Sequence, residues 1–229
     1  MKRAFSFVIS MFLTLSMLGQ SDTLSKKFLN EGLVIDINKY NWLNNTVPIK
    51  DKSTEINTTA YILIAGKEKN ISLAFGANVT AINIYSDFYI TKDTNENIIF
   101  TKYNDSISYS KNKIGVSYIG IPLEIRIKTN NNIKRKNFKF TIGTEIGYVL
   151  SSYHKYKGEN YLYESTDKNI KFKIYNIYKV NKYAGSFYFK FFYDKIGVNF
   201  KYYVTPFFDK DDKVDPINAF SFGISFILF

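Results

Sequence analysis

The chain has 229 residues, no cysteine, one histidine, 18% aromatic residues and a formal net charge of +11. Without cysteine there is neither a disulfide framework nor a thiolate metal site, and His154 alone cannot supply the ligand set of a structural or catalytic zinc. The lysine excess comes with abundant Asn, Ile and Tyr, as a biased genome produces, so it does not by itself indicate a nucleic-acid binder.

Lys2 and Arg3 precede a mainly apolar run from Ala4 to Leu18, followed by Gly19, Gln20 and Ser21. This pattern predicts a secretory signal peptide over 1–21, cleaved after Gly19 or Ser21. No cysteine lies near the site, which excludes a lipoprotein anchor, and removal lowers the formal charge to +9 by taking Lys2 and Arg3. No later segment approaches the roughly 18 unbroken apolar residues of a transmembrane helix. The remaining 22–229 reads as one domain.

Its segments alternate with a period of two. Leu33, Ile35 and Ile37 alternate with Val34, Asp36 and Asn38 in a first predicted strand. A second, apolar on both faces, covers about Ile56 to Ala65 and ends at the turn-forming Gly66 to Asn70. In the third, Ile71, Leu73, Phe75, Ala77, Val79 and Ala81 oppose Ser72, Ala74, Gly76, Asn78 and Thr80. The fourth, about Ile114 to Lys128, sets Ile119, Ile121, Leu123, Ile125 and Ile127 against Glu124, Arg126 and Lys128, with Pro122 read as marking a bulge. The fifth runs from about Phe138 to Leu150, with Phe138, Phe140, Ile142, Ile146 and Tyr148 opposite Lys139, Thr141, Gly143, Glu145 and Gly147.

An Asp194-Lys195 turn joins the sixth and seventh as a hairpin pairing Phe192 with Gly197 and Phe191 with Val198, which puts their apolar residues on one face. The eighth, Ile217 to Phe229, opposes Phe220, Phe222, Ile224, Phe226 and Leu228 to Ala219, Ser221, Gly223 and Ser225, with Phe229 out of phase. Short connections after strands two, four and six face long ones after one, three and five. Even strand number and this asymmetry predict an all-β, eight-stranded antiparallel up-and-down transmembrane β-barrel of the bacterial outer membrane, both termini periplasmic. Alternation at Ile98 with Phe100 and at Ile170, Phe172 and Ile174 predicts hairpins within the long loops.

The stretch Ser117-Tyr118-Ile119-Gly120-Ile121-Pro122-Leu123-Glu124-Ile125 resembles the tyrosine, then isoleucine-proline-leucine strand of the PorT-like outer-membrane β-barrel family of Bacteroidetes. Thr141 to Tyr148, glycine-rich, resembles the strand that follows it there. The resemblance implies a barrel fold and a link to secretion or envelope assembly, and it carries over no catalytic residue.

If apolar faces meet lipid, Glu124, Arg126, Lys139, Glu145, Lys190 and Lys201 point into the lumen. An eight-stranded barrel is just wide enough to be filled by side chains, so these are expected to plug it with ion pairs. Tyrosines and phenylalanines near strand ends, among them Tyr148, Tyr183, Tyr202 and Phe207, are assigned to an interfacial aromatic girdle rather than to nucleic-acid stacking. His154 with Ser151 and Ser152 lacks the Gly-x-Ser-x-Gly element of a hydrolase, and neither metal nor cofactor is expected. The leading expectation is a non-enzymatic membrane protein contacting outer-membrane lipid, whose extracellular loops bind or scaffold an envelope or secretion partner. The alternatives are a lipid-modifying enzyme or small transporter using Glu124 and Glu145, and a soluble lipocalin-like barrel. The alternation itself cannot say which face is inward.

Overall fold

The computed structural model describes residues 32–43, 47–65, 70–95, 97–129, 137–160, 169–209 and 215–228. The predicted signal peptide, the residues Gly66 to Lys69 and Phe229 lie outside them. Eleven strands are described in chain order: β1 (Leu33–Trp42), β2 (Thr54–Ala65), β3 (Ile71–Tyr85), β4 (Phe88–Lys92), β5 (Ile98–Lys102), β6 (Tyr109–Lys128), β7 (Phe138–Glu159), β8 (Asn169–Tyr175), β9 (Tyr183–Tyr193), β10 (Ile196–Tyr203) and β11 (Ala219–Ile227).

Eight of them close a barrel. Antiparallel neighbours run β1, β2, β3, β6, β7, β9, β10, β11, and β11 returns to β1 through pairs such as Ile35 with Phe226 and Asn41 with Phe220. Closure leaves no free edge in the ring, so every ladder satisfies its backbone groups internally, as hydrocarbon demands. The remaining strands are the predicted loop hairpins: β4 pairs with β5, and β8 pairs with the upper end of β7.

The apolar faces point out. Ile119, Phe189 and Phe222 are 43%, 46% and 47% exposed, whereas Glu124 and Lys190 are 3% and 4% exposed. This inside-out distribution excludes the lipocalin-like alternative, whose oily face would be buried. The β9–β10 hairpin has the expected register, Phe192 with Gly197 and Phe191 with Val198, and Asp194 takes the left-handed conformation of the turn at φ 56°.

Two irregularities depart from the sequence reading. Pro122 pairs with Glu145 in unbroken register, and the β3–β6 ladder passes its level without a shift, so no bulge sits there. The bulge falls instead at Leu150, the extra residue where β6–β7 pairing steps from Tyr118↔Val149 to Ser117↔Ser151. An extra residue reverses the alternation. Below it Lys139, Thr141 and Glu145 face inward, and above it Ser152, His154 and Tyr156 do. His154 therefore belongs to a regular strand extension rather than to a loop.

The interior also changes character with height. From the middle of the barrel upward, inward positions turn apolar: Tyr40, Trp42, Ile82, Ile84, Ile114, Val116, Phe208, Ile217 and Ala219 form one buried cluster with Phe88 and Ile98 of the β4–β5 hairpin. That hairpin folds over the barrel mouth as a stopper.

Candidate functional site

The lower half of the lumen holds four carboxylates, Asp36, Glu55, Glu124 and Glu145, and four cations, Arg126, Lys139, Lys190 and Lys201, all buried. Their formal charges cancel. Strand alternation is what delivers them, because each follows or precedes an outward apolar residue on its own strand, and a tightly curved ring brings opposite walls within side-chain reach.

Two layers can be traced. In the lower, Arg126 pairs with Glu124, whose second oxygen accepts from Tyr188 at 3.0 Å, and the guanidinium lies 4.5 Å from the Tyr61 ring centroid. Lys190 meets Asp36 at 2.8 Å, and the same carboxylate accepts from Asn57 at 3.2 Å and Ser225 at 2.6 Å. Lys139 lies 5.4 Å from the Phe192 ring centroid. Packing of Tyr188 requires Gly143, where a Cβ would stand 2.2 Å from the tyrosine ring. In the upper layer Lys201 lies 3.0 Å from Glu145 and 3.5 Å from Glu55. It donates to Tyr118 at 2.9 Å; the Tyr118 and Tyr203 hydroxyls are 2.9 Å apart, and Tyr203 donates to Glu55 at 2.8 Å. Asn199 donates to Ser225 and to Asn38, which in turn donates to Ser221, extending the network around Asp36.

All six lumen residues named from the sequence thus lie inside, but they form two clusters rather than one. Arg126, Glu124, Lys190 and Lys139 line a common cavity of only about 10 Å3. Lys201 and Glu145 belong to the upper layer, below a cavity of about 30 Å3 bounded by Tyr40, Tyr118 and Tyr203. Neither volume exceeds the room for a water molecule or two. Sequence reasoning missed Asp36 and Glu55 as members, although Asp36 between Ile35 and Ile37 carried the same alternating signal. It also missed the tyrosines Tyr61, Tyr118, Tyr188 and Tyr203, which resemble girdle residues until their face is known.

The girdle assignment divides. Tyr148 and Tyr183 face outward, with ring centroids 5.7 Å apart, and Tyr202 is half-buried on the outer face of β10. Phe207 is corrected: it packs on Trp42 at 5.5 Å and Phe208 at 4.9 Å, because the segment after β10 folds inward over the mouth. Phe88, Tyr156, Tyr203 and Phe208, aromatic residues that also lie near strand ends, are buried. Above the apolar band, His154 Nε2 lies 2.6 Å from Asn112 Oδ1, and burial lowers the histidine pKa to about 4. Ser152 Oγ accepts from the Ile177 amide, so histidine and serine serve the hairpin rather than each other. No group of three or more potential metal ligands occurs among the described residues.

Solved structures with related architecture include Ail, the attachment invasion locus protein of Yersinia pestis, alone and in complex with the heparin analogue sucrose octasulfate. Identity is 8% in both, with TM-scores of 0.32 and 0.33; 85% of this chain and 95% and 96% of those chains are covered. No curated protein matches. The model of the outer membrane protein beta-barrel domain family matches residues 32–210, from the start of β1 past the end of β10. With most of the ring inside that match, and its oily face turned outward, the chain belongs to the outer membrane protein β-barrel domain family and is a protein of the bacterial outer membrane.

Proposed function

We propose that this protein is a non-enzymatic barrel that binds or scaffolds an envelope or secretion partner through its extracellular hairpins, as the PorT-like resemblance implies. The observation that carries this reading is the filled interior. Each carboxylate of the lumen already meets a cation or a hydroxyl within the wall, and beneath the aromatic stopper the cavities beside the two charged layers, about 10 and 30 Å3, have room for a water molecule or two. A transporter needs a path and a lipid-modifying enzyme needs a cavity or a lateral opening. What remains available for recognition is the structured surface beyond the bilayer: β4–β5, the extension of β6 and β7, and β8.

The test is to shorten residues 86–108 or 160–182 to tight turns, verify closure by heat-dependent electrophoretic mobility, and follow a crosslinked envelope partner. Loss of the partner with the barrel intact is expected. Solute flux through liposomes carrying the purified chain, or turnover of lipid abolished by Glu124→Gln and Glu145→Gln, would replace the proposal with one of its alternatives.

A further inference from the structure

Above the membrane band, β6, β7 and β8 continue as a three-stranded sheet, and its ladder brings lysines directly opposite one another. Lys113 pairs with Lys155, which pairs with Lys173; in the next row Lys111 pairs with Lys157, which pairs with Lys171. Partners in register share a face, and residues two apart along a strand share it too. Six lysines therefore form two adjacent rows of three on one face. It is the outer face, because the alternate positions Asn112, Ile114, His154 and Tyr156 are buried inside.

Like charges placed directly opposite across strands oppose pairing. The acidic residue next on this face is Glu159, which accepts from the Ser108 amide at 2.8 Å. The connection between β7 and β8 carries Glu164 and Asp167 in its sequence. The ladder thus calls for anions, and its height indicates their source. On β6 and β7 the outward apolar band ends at Ile119, Tyr148 and Leu150, and exposed Tyr175 of β8 sits beside Tyr153 just above it. Gly115 and Tyr153, a paired row, lie two residues above Ser117 on β6, roughly 5 Å higher for a strand tilted by about 40°. The ammonium groups reach down to that row: Lys113 donates to Asn83 at 2.6 Å, and Lys173 lies 3.7 Å from the Tyr153 ring centroid. Such downward reach is how lysines meet an interface. In the turn before β2, Lys52 lies 4.7 Å from the ring centroid of Tyr85 on the neighbouring strand β3, which pairs with Lys113.

We infer that this lysine ladder is a docking face for the phosphates of anionic lipid headgroups in the outer leaflet, holding the barrel at a set depth and facing. It goes beyond the proposed partner role and does not depend on it. A soluble polyanion would not require a basic face pressed against the aromatic rim.

The test uses the full chain folded in zwitterionic detergent, titrated with bis-phosphorylated lipid A and read by native mass spectrometry. Replacing Lys111, Lys155, Lys157 and Lys171 with Gln should weaken lipid A retention by about a hundredfold, while Lys39→Gln with Lys102→Gln leaves it unchanged. Dephosphorylated lipid should lose the same advantage. In lipid-free micelles the quadruple variant should unfold at the same temperature as the parent or higher, since repulsion is removed. A lower temperature there would mean that the chain's own carboxylates neutralise the ladder, and would overturn the inference. So would lipid A binding indifferent to the lysines, or lysine-dependent binding of soluble heparin with none of lipid A.

Discussion

Lys201 offers the sharpest test of the filled lumen. Its ammonium stands between Glu145 at 3.0 Å and Glu55 at 3.5 Å and donates to Tyr118, so Lys201→Ala leaves two buried carboxylates without their cation. Removing one partner of a buried ion pair costs about 3–5 kcal/mol, more than the pair itself contributes. Replacing the charges together, Lys201→Met with Glu145→Gln and Glu55→Gln, should recover most of that loss, because no uncompensated charge remains. Urea titration in detergent, with the folded fraction read from mobility of unheated samples, measures both variants. The expected pattern is a midpoint shifted far downward for the single variant and only slightly for the triple. A single variant as stable as the parent, or a triple variant as weak as the single, would show that the charges are hydrated rather than locked together. Either result would reopen a water path through the lumen.

Other consequences are equally direct. Trp42→Ala removes the ring shared by Phe88, Phe207 and Phe208, and should cost about 3–5 kcal/mol and raise exchange of amides in β4–β5. Gly143→Ala, whose Cβ would strike the Tyr188 ring, should lower the yield of heat-modifiable barrel, and adding Tyr188→Phe should not restore it because the ring stays. His154 is held neutral, its pKa depressed to about 4 from 6.5, so its contribution is complete above pH 6.5 and lost as pH falls toward 4. The full loss is on the order of 3 kcal/mol, and hydrogen exchange in β7–β8 should quicken over that window in the parent but not in His154→Gln.

Much of the barrel was legible in the alternation itself. The pairing of Phe192 with Gly197 followed from a two-residue turn and shared faces, and the loop hairpins at Ile98 and Ile170 showed the same period. What escaped was anything that depended on a change of phase. A single extra residue at Leu150 moves His154 inside, and no propensity marks it. Phe207 and Tyr203 have the composition of girdle residues, yet one caps the mouth and the other carries a hydrogen bond to Glu55, because position relative to the rim, not residue type, decides which solvent an aromatic ring meets.

The sequence by itself determined the barrel strands, their number and, wherever the strand is unbroken, which residues share a face, since a period of two is a local property of extended chain. Only closure of the ring decided the rest. It set Asp36 beside Lys190 and Glu55 beside Lys201, residues far apart along the chain, while the β6–β7 and β7–β8 ladders stacked lysines into rows. Such neighbours arise from register between strands, which is fixed by the combined burial of the whole wall and is written in no single segment.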